Sequence, residues 1–315
     1  MSCTYEVIEK EGKVIDVMTD DTAGMRMMVL RKGAELLSLS KRNSRGEWIG
    51  FLHRDGEVST PEVGWGNHST VMGYYVHRIK EERSSYCGQE IRGGTHGFIR
   101  HKTFSAPKAS EETGVLKYSI PYQEIDPKDY PFKLSMDLTY RLHGDKLFVQ
   151  FYFSNNEMQR AAHVSFGLHP GFGVSSIEGA KILFPGGSFV RYASPGNFLS
   201  GDKQFLEIPK GEFPFSKAEL PNTFILEFKK VTTPVVVLED AVANKRVEVD
   251  LQGVPYFSLW SDGNEVNPFI CIEPHWGLPD HHLQRPFENK EGIQVVGPRG
   301  NMNKIFSITP SFLKD

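Results

Sequence analysis

Residues 133–155 read KLSMDLTYRLHGDKLFVQFYFSN, and apolar side chains take every second position twice over. Leu134, Met136, Leu138 and Tyr140 share one parity, while Lys133, Asp137, Thr139 and Arg141 occupy the other. Successive side chains of a strand point to opposite faces, so this spacing predicts a strand with one buried face. After HGD the apolar parity returns in Leu147, Val149, Phe151 and Phe153, which predicts a hairpin. RVEVDLQG repeats the pattern, with Val247, Val249 and Leu251 set against Glu248, Asp250 and Gln252. TPVVVLED, NTFILEFKK and NKIFSITP are further strand candidates, divided by Gly, Pro, Asn and Asp. No long segment carries an i, i+3, i+4, i+7 apolar stripe with caps. With 30 Gly, 19 Pro and 12% aromatic residues, the pattern predicts an all-β fold, a large antiparallel β-sandwich. No Gly-, Ser- or Pro-rich linker and no fixed-period repeat divides the chain, so residues 1–315 read as one domain.

Charge excludes some partners. Lys plus Arg number 36 and Asp plus Glu 39, a net charge of −3 with no block of one sign. A nucleic-acid binder needs clustered cations to neutralise phosphates, so nucleic acid is not an expected partner. No apolar run reaches the length of a membrane span, and MSCTYEVIEKEGK has no signal-peptide core. Cys3, Cys87 and Cys271 are odd in number and far apart, fitting neither a disulfide framework nor a CxxC zinc site. A cytoplasmic protein, monomer or homodimer, is the expectation.

Four segments break the strand pattern and gather ionisable groups. NHSTVMGYYVHRIKEER holds His68, His77 and Arg78, and RGGTHGFIRHKTF holds His96. HVSFGLHPGFGV holds His169, and ICIEPHWGLPD places Glu273 after an apolar run. Each residue alone has an ordinary explanation. His169 could be a hydrogen-bonded histidine at a strand end, Glu273 half of an ion pair, Arg78 a surface cation, and GGTHG a tight turn. Together they describe a pocket of imidazoles, a carboxylate and aromatic rings. Such a pocket suits a sugar, whose C–H faces stack on rings while its hydroxyls bond to charged groups.

The same segments carry a family resemblance. GYYVHRI resembles the Gly-x-x-x-Asn-Arg-Ile stretch of the galactose mutarotases, or aldose 1-epimerases. THGF is similar to their histidine–glycine segment, FGLHPGF to their His-Pro-Tyr-Phe, and CIEPHWGLPD to their Glu-Pro-x-x-x-Pro-Asp. KGAELLSLSKRNSRGEWIG resembles their N-terminal strand pair, and the order agrees from Gly33 to Asp280. Three positions depart. His77 stands where the family usually has Asn, and Gly171 replaces the Tyr after His-Pro. Asn222 or Thr223 occupies the neighbourhood of a sugar-binding Asp.

The resemblance implies interconversion of the α and β anomers of an aldohexose. Glu273 would be the base that takes the C1 hydroxyl proton, and His169 the acid that protonates the ring oxygen. Arg78, His96, Asn222 and Trp276 would bind the sugar. No cofactor or metal is expected, since proton transfer suffices. PDHHLQ reads as a polar loop, because adjacent histidines on an extended chain point apart. Burial beside Trp276 is the expected means of raising the proton affinity of Glu273, whereas His169 would need little tuning. The rival readings are a hexose-6-phosphate epimerase, with Arg92 and Arg100 as candidate phosphate ligands, a non-catalytic sugar-binding module, and a hydrolase or lyase. Hydrolases usually need two carboxylates, which weakens the last.

Overall fold

The hairpin read from the alternation spans Leu134–His143 and Lys146–Asn155 in a computed structural model that describes residues 3–314. Leu138 faces Phe151 across the ladder, and Gly144 turns the chain at a φ of 59°. Leu134, Met136, Leu138 and Tyr140 are at most 1% exposed, as the parity requires. Among the described residues there is no α-helix, only short 3₁₀ turns such as Lys217–Asn222.

This hairpin lies within a nine-stranded antiparallel sheet, next to Asn301–Phe312, which pairs on its other side with Lys245–Asp250. An eight-stranded sheet faces it, its middle built from Phe224–Lys230, Tyr256–Trp260, Phe269–Trp276 and Ala162–Gly173. Ser69–Tyr74 adds to the free side of Ala162–Gly173. A five-stranded sheet of residues 4–50 joins the same core, and Arg83–Tyr86 pairs with Gln89–Arg92 in a separate ribbon.

The two large sheets interdigitate through aromatic rings. Phe153 and Phe151 of one meet Phe166 of the other at centroid separations of 4.6 and 5.1 Å, and Trp276 stacks on Phe166 at 5.0 Å. Phe151, Phe153 and Phe166 are fully buried, each side chain stabilising the fold by about 1.5–3 kcal/mol. Phe269–Trp276 is buried at every position, because loops cover the face turned away from this core. That covered face holds the chemistry.

Candidate active site

Pairing between Ala162–Gly173 and Phe269–Trp276 matches Gly167 with His275 and Gly171 with Cys271. The register is the same on both sides of the gap, so His169 stands opposite Glu273. Pro170 and Pro274 lie beside them, and neither offers an N–H to the ladder. The two side chains meet on the covered face, His169 Nε2 lying 3.3 Å from Glu273 Oε1. On the next strand Ser258 faces Glu273, Ile225 faces Ser258, and Thr70 faces His169 from the other side. One transverse row therefore runs Ile225, Ser258, Glu273, His169, Thr70 across five strands.

Loops roof this row into a cavity of about 250 Å³, lined by His169, Glu273, Trp65, Trp260, His77, Arg78, His96 and Arg100 among others. That volume is slightly below the ~300 Å³ at which drug-sized sites begin, a fit for one sugar ring. Trp65 lies over His169 at 4.8 Å and meets Trp260 edge-on at 5.7 Å. Its loop is pinned, because the Trp65 N–H donates to Asp262 Oδ2 at 2.9 Å and its carbonyl bonds to His53 Nε2 at 3.0 Å. Trp65 also accounts for Gly171. A Cβ there would sit 2.6 Å from Trp65 Cζ3, so the indole uses the room a side chain after His-Pro would need.

His77 and His96 adopt left-handed backbone angles, φ 55° and 62°, which side chains other than glycine rarely take. They hold each other there. The His96 N–H donates to the His77 carbonyl at 2.7 Å, and the His77 N–H donates to His96 Nδ1 at 3.2 Å. Because Nδ1 of neutral His96 accepts, its Nε2 must carry the proton, making it a hydrogen-bond donor. Below, His275 Nδ1 meets the Gly277 carbonyl at 2.8 Å and must donate, so its Nε2 accepts from the Ser258 hydroxyl at 2.9 Å.

Burial sets the protonation states. It pushes Glu273 up to about 8 and His169 down to about 3, and it drives His96 and His77 well below the ordinary histidine range. His169 and Glu273 lie at ion-pair distance, yet the dry site disfavours charge on both. They hold one proton between them from about pH 3 to about 8. His169, expected to need little tuning, is shifted further than any ordinary imidazole because Trp65, Trp260 and His96 surround it.

Two residues expected at the sugar lie elsewhere. Trp276 is 1% exposed and turned into the core against Phe166, its Nε1 donating to the Gly253 carbonyl at 3.1 Å. Strand alternation is the reason, since Glu273 and Trp276 are three positions apart and must face opposite ways. Trp65 and Trp260 stand on the side Trp276 was expected to occupy. Asn222 is exposed and lines an adjoining groove of about 590 Å³, which shares Ser194, Asn197 and Thr223 with the cavity. Arg78 and His96 do line the cavity. His281 and His282 lie side by side, rings 4.2 Å apart, because the chain is irregular there and not extended. Asp280 before them pairs with Lys290 at 3.0 Å. As for metals, His169, Cys271 and Glu273 offer donor atoms within 4.8 Å of one another. Burial beside Glu273 pushes the Cys271 thiol well up, which disfavours the thiolate a metal would take.

The aldose 1-epimerase family model matches residues 16–298. The chain belongs to the aldose 1-epimerase family. Within reach of the family, protein LacX of Lactococcus lactis subsp. lactis, in its plasmid and chromosomal forms, is 25% identical over 303 residues, covering 90% of this chain and 99% of LacX. A galactose mutarotase related enzyme from Lactobacillus acidophilus shares the fold with a TM-score of 0.82 at 21% identity, over 99% of both chains. A galactose mutarotase-like protein from Lactobacillus casei superposes with a TM-score of 0.79 at 19% identity, over 98% of this chain and 100% of that one.

Proposed function

We propose that the protein is an aldose 1-epimerase whose acid and base are the paired His169 and Glu273. The observation that supports this most is their 3.3 Å contact across adjacent strands inside a sugar-sized cavity. Ring opening moves one proton onto the pair and one off it. Once Glu273 has passed its proton to His169 across their contact, Glu273 takes the C1 hydroxyl proton, the bond from C1 to the ring oxygen breaks, and the ring oxygen receives its electrons and a proton from His169. The open-chain aldehyde turns about C1–C2. His169 then recovers the proton as the oxygen closes on the other face of C1, and Glu273 returns its own to the carbonyl oxygen. The pair holds one proton in total throughout. The state with both groups neutral, which burial favours, is the one that accompanies the open chain. His96 Nε2–H and the Arg78 guanidinium supply donors for oxygens that gain charge.

Among the described residues lining the cavity Glu273 is the sole carboxylate, which argues against hydrolysis by a carboxylate pair. Trp65 and Trp260 are the rings on which a sugar face would stack. Trp65→Ala therefore raises KM for the aldose about tenfold, the ratio matching a stacking contact of this kind. Polarimetry at varied sugar concentration checks it; an unchanged KM removes Trp65 from the binding surface.

The pH dependence follows from the shared proton. The pair keeps it until pH passes about 8, the level to which Glu273 is raised, and gains a second only near about 3, the level to which His169 is lowered. Activity, corrected for spontaneous mutarotation, stays level from pH 5 to 7 and declines above about 8. An ordinary histidine acid would instead lose activity through about 6.5. A decline centred there contradicts the shared-proton mechanism.

A further inference from the structure

Arg78 and Arg100 reach the same cavity from different loops, one after the left-handed His77 and the other in the 3₁₀ turn Ile99–His101. Among the described residues neither guanidinium makes a hydrogen bond or an ion pair with a side chain or carbonyl. That is unlike Arg31, held by Asp16, or Arg246, held by Glu239 and Glu248. The carboxylate that acts on Arg100 is Glu35, and Glu35 is engaged by the N–H groups of His68 and Ser69 at 2.7 and 3.3 Å. Both arginines act electrostatically on His96, and Arg100 on His169 as well, so the Arg100 charge is close to the reacting pair and the Arg78 charge close to His96.

The other groups of the cavity do not compensate them. His77, His96 and His169 are held neutral by burial, and Glu273 is largely protonated at neutral pH. Arg100 is half-buried, and a positive charge in a partly dry hollow is costly unless a counter-charge arrives, whereas Arg78 lines the same hollow from an exposed position. The hydroxyls of a plain aldose supply none. A phosphate or carboxylate does, and the planar guanidinium fork matches either one with two parallel hydrogen bonds.

We infer that the substrate is an aldose bearing an anionic substituent, which Arg78 and Arg100 hold while His169 and Glu273 work at C1. This rests on the epimerase reading and narrows its substrate class. Arg100, which the sequence offered with Arg92 as a candidate phosphate ligand outside any anion-binding loop, becomes a specificity-determining residue, with Arg78 as its partner in place of Arg92.

Anomer exchange is measured by NMR for three groups of sugars: glucose and galactose, their 6-phosphates, and the corresponding uronic acids. For the wild type, kcat/KM is higher for one anionic group than for the neutral sugars by on the order of 30-fold or more, as charge-assisted bonds of this kind give. The phosphate and carboxylate arms tell which anion is preferred. In Arg100→Met the ratio falls towards one, mainly through a higher KM for the anionic sugar. Inorganic phosphate competes with substrate in the wild type more strongly than sodium chloride of equal ionic strength, a test that needs no variant. Equal or better turnover of neutral aldoses, or a ratio unmoved in Arg100→Met, overturns the anionic assignment and leaves the epimerase standing. No acceleration of any sugar overturns both.

Discussion

Glu273→Gln folds and no longer accelerates anomerisation, its kcat reduced by about 10²–10⁴-fold, the usual contribution of one positioned acid or base. The amide keeps the shape of the protonated carboxyl but can neither take nor return a proton. The same variant gains stability. Folded Glu273 titrates near 8 against an ordinary 4.5, because burial disfavours its charge. A carboxyl raised in this way favours the folded state fully only below about 4.5, and that contribution is lost as pH rises towards 8. Glutamine lacks this liability. The melting temperature of Glu273→Gln therefore exceeds that of the wild type, and the gap widens from pH 5 to 8. At pH 8 it corresponds to on the order of 3–5 kcal/mol. Thermal melts at several pH values beside rate measurements separate the two effects. A variant as fast as wild type removes Glu273 from the chemistry, and a gap that does not grow with pH removes the burial argument.

Gly167→Ala is expected to damage both fold and catalysis. A Cβ at Gly167 would lie 2.4 Å from the Pro274 carbonyl oxygen and 2.8 Å from His275 Cα. Both are backbone atoms of the facing strand and cannot swing aside, so the two central strands must part. The cost is about 3 kcal/mol, typical of overpacking at a close backbone approach. His169 lies two residues along and Glu273 faces it, so the separation also opens their contact. A misplacement near 1 Å lowers kcat by about 10²-fold. Stability in denaturant and kcat, measured together, check this. A variant with wild-type values for both shows that the strands accommodate the methyl group and that the close approach does not position the pair.

The sandwich was legible because alternation survives wherever one sheet face meets the core and the other meets solvent, as in Leu134–His143. It fails in Phe269–Trp276, buried on both faces, where Glu273 and His275 share one parity but face covering loops and not solvent. That is how Trp276 could be placed beside Glu273 in sequence while its ring points into the opposite layer. Counting three positions along an extended strand would have separated them. Trp65 and Trp260 were missed for different reasons. Trp65 sits between Gly64 and Gly66 in a polar loop, a signal available in the sequence. Trp260 joins the site only through its pairing with Cys271, which no local pattern encodes. The facing of His169 and Glu273 is likewise a matter of register between strands remote in sequence, and only the ordered motifs pointed to it. Arg100 was visible as a residue, but its lack of a direct ion-pair partner among the described residues is a property of the fold.

The central claim is that His169 and Glu273 pass protons to and from a sugar ring. Its most direct measurement is polarimetry on freshly dissolved α-anomers of neutral aldoses, their 6-phosphates and the corresponding uronic acids, with wild type and Glu273→Gln side by side. The account predicts that the wild type speeds the approach to anomeric equilibrium for at least one of these sugars and that the variant does not. A wild-type protein that leaves every one of them at its spontaneous rate would contradict it.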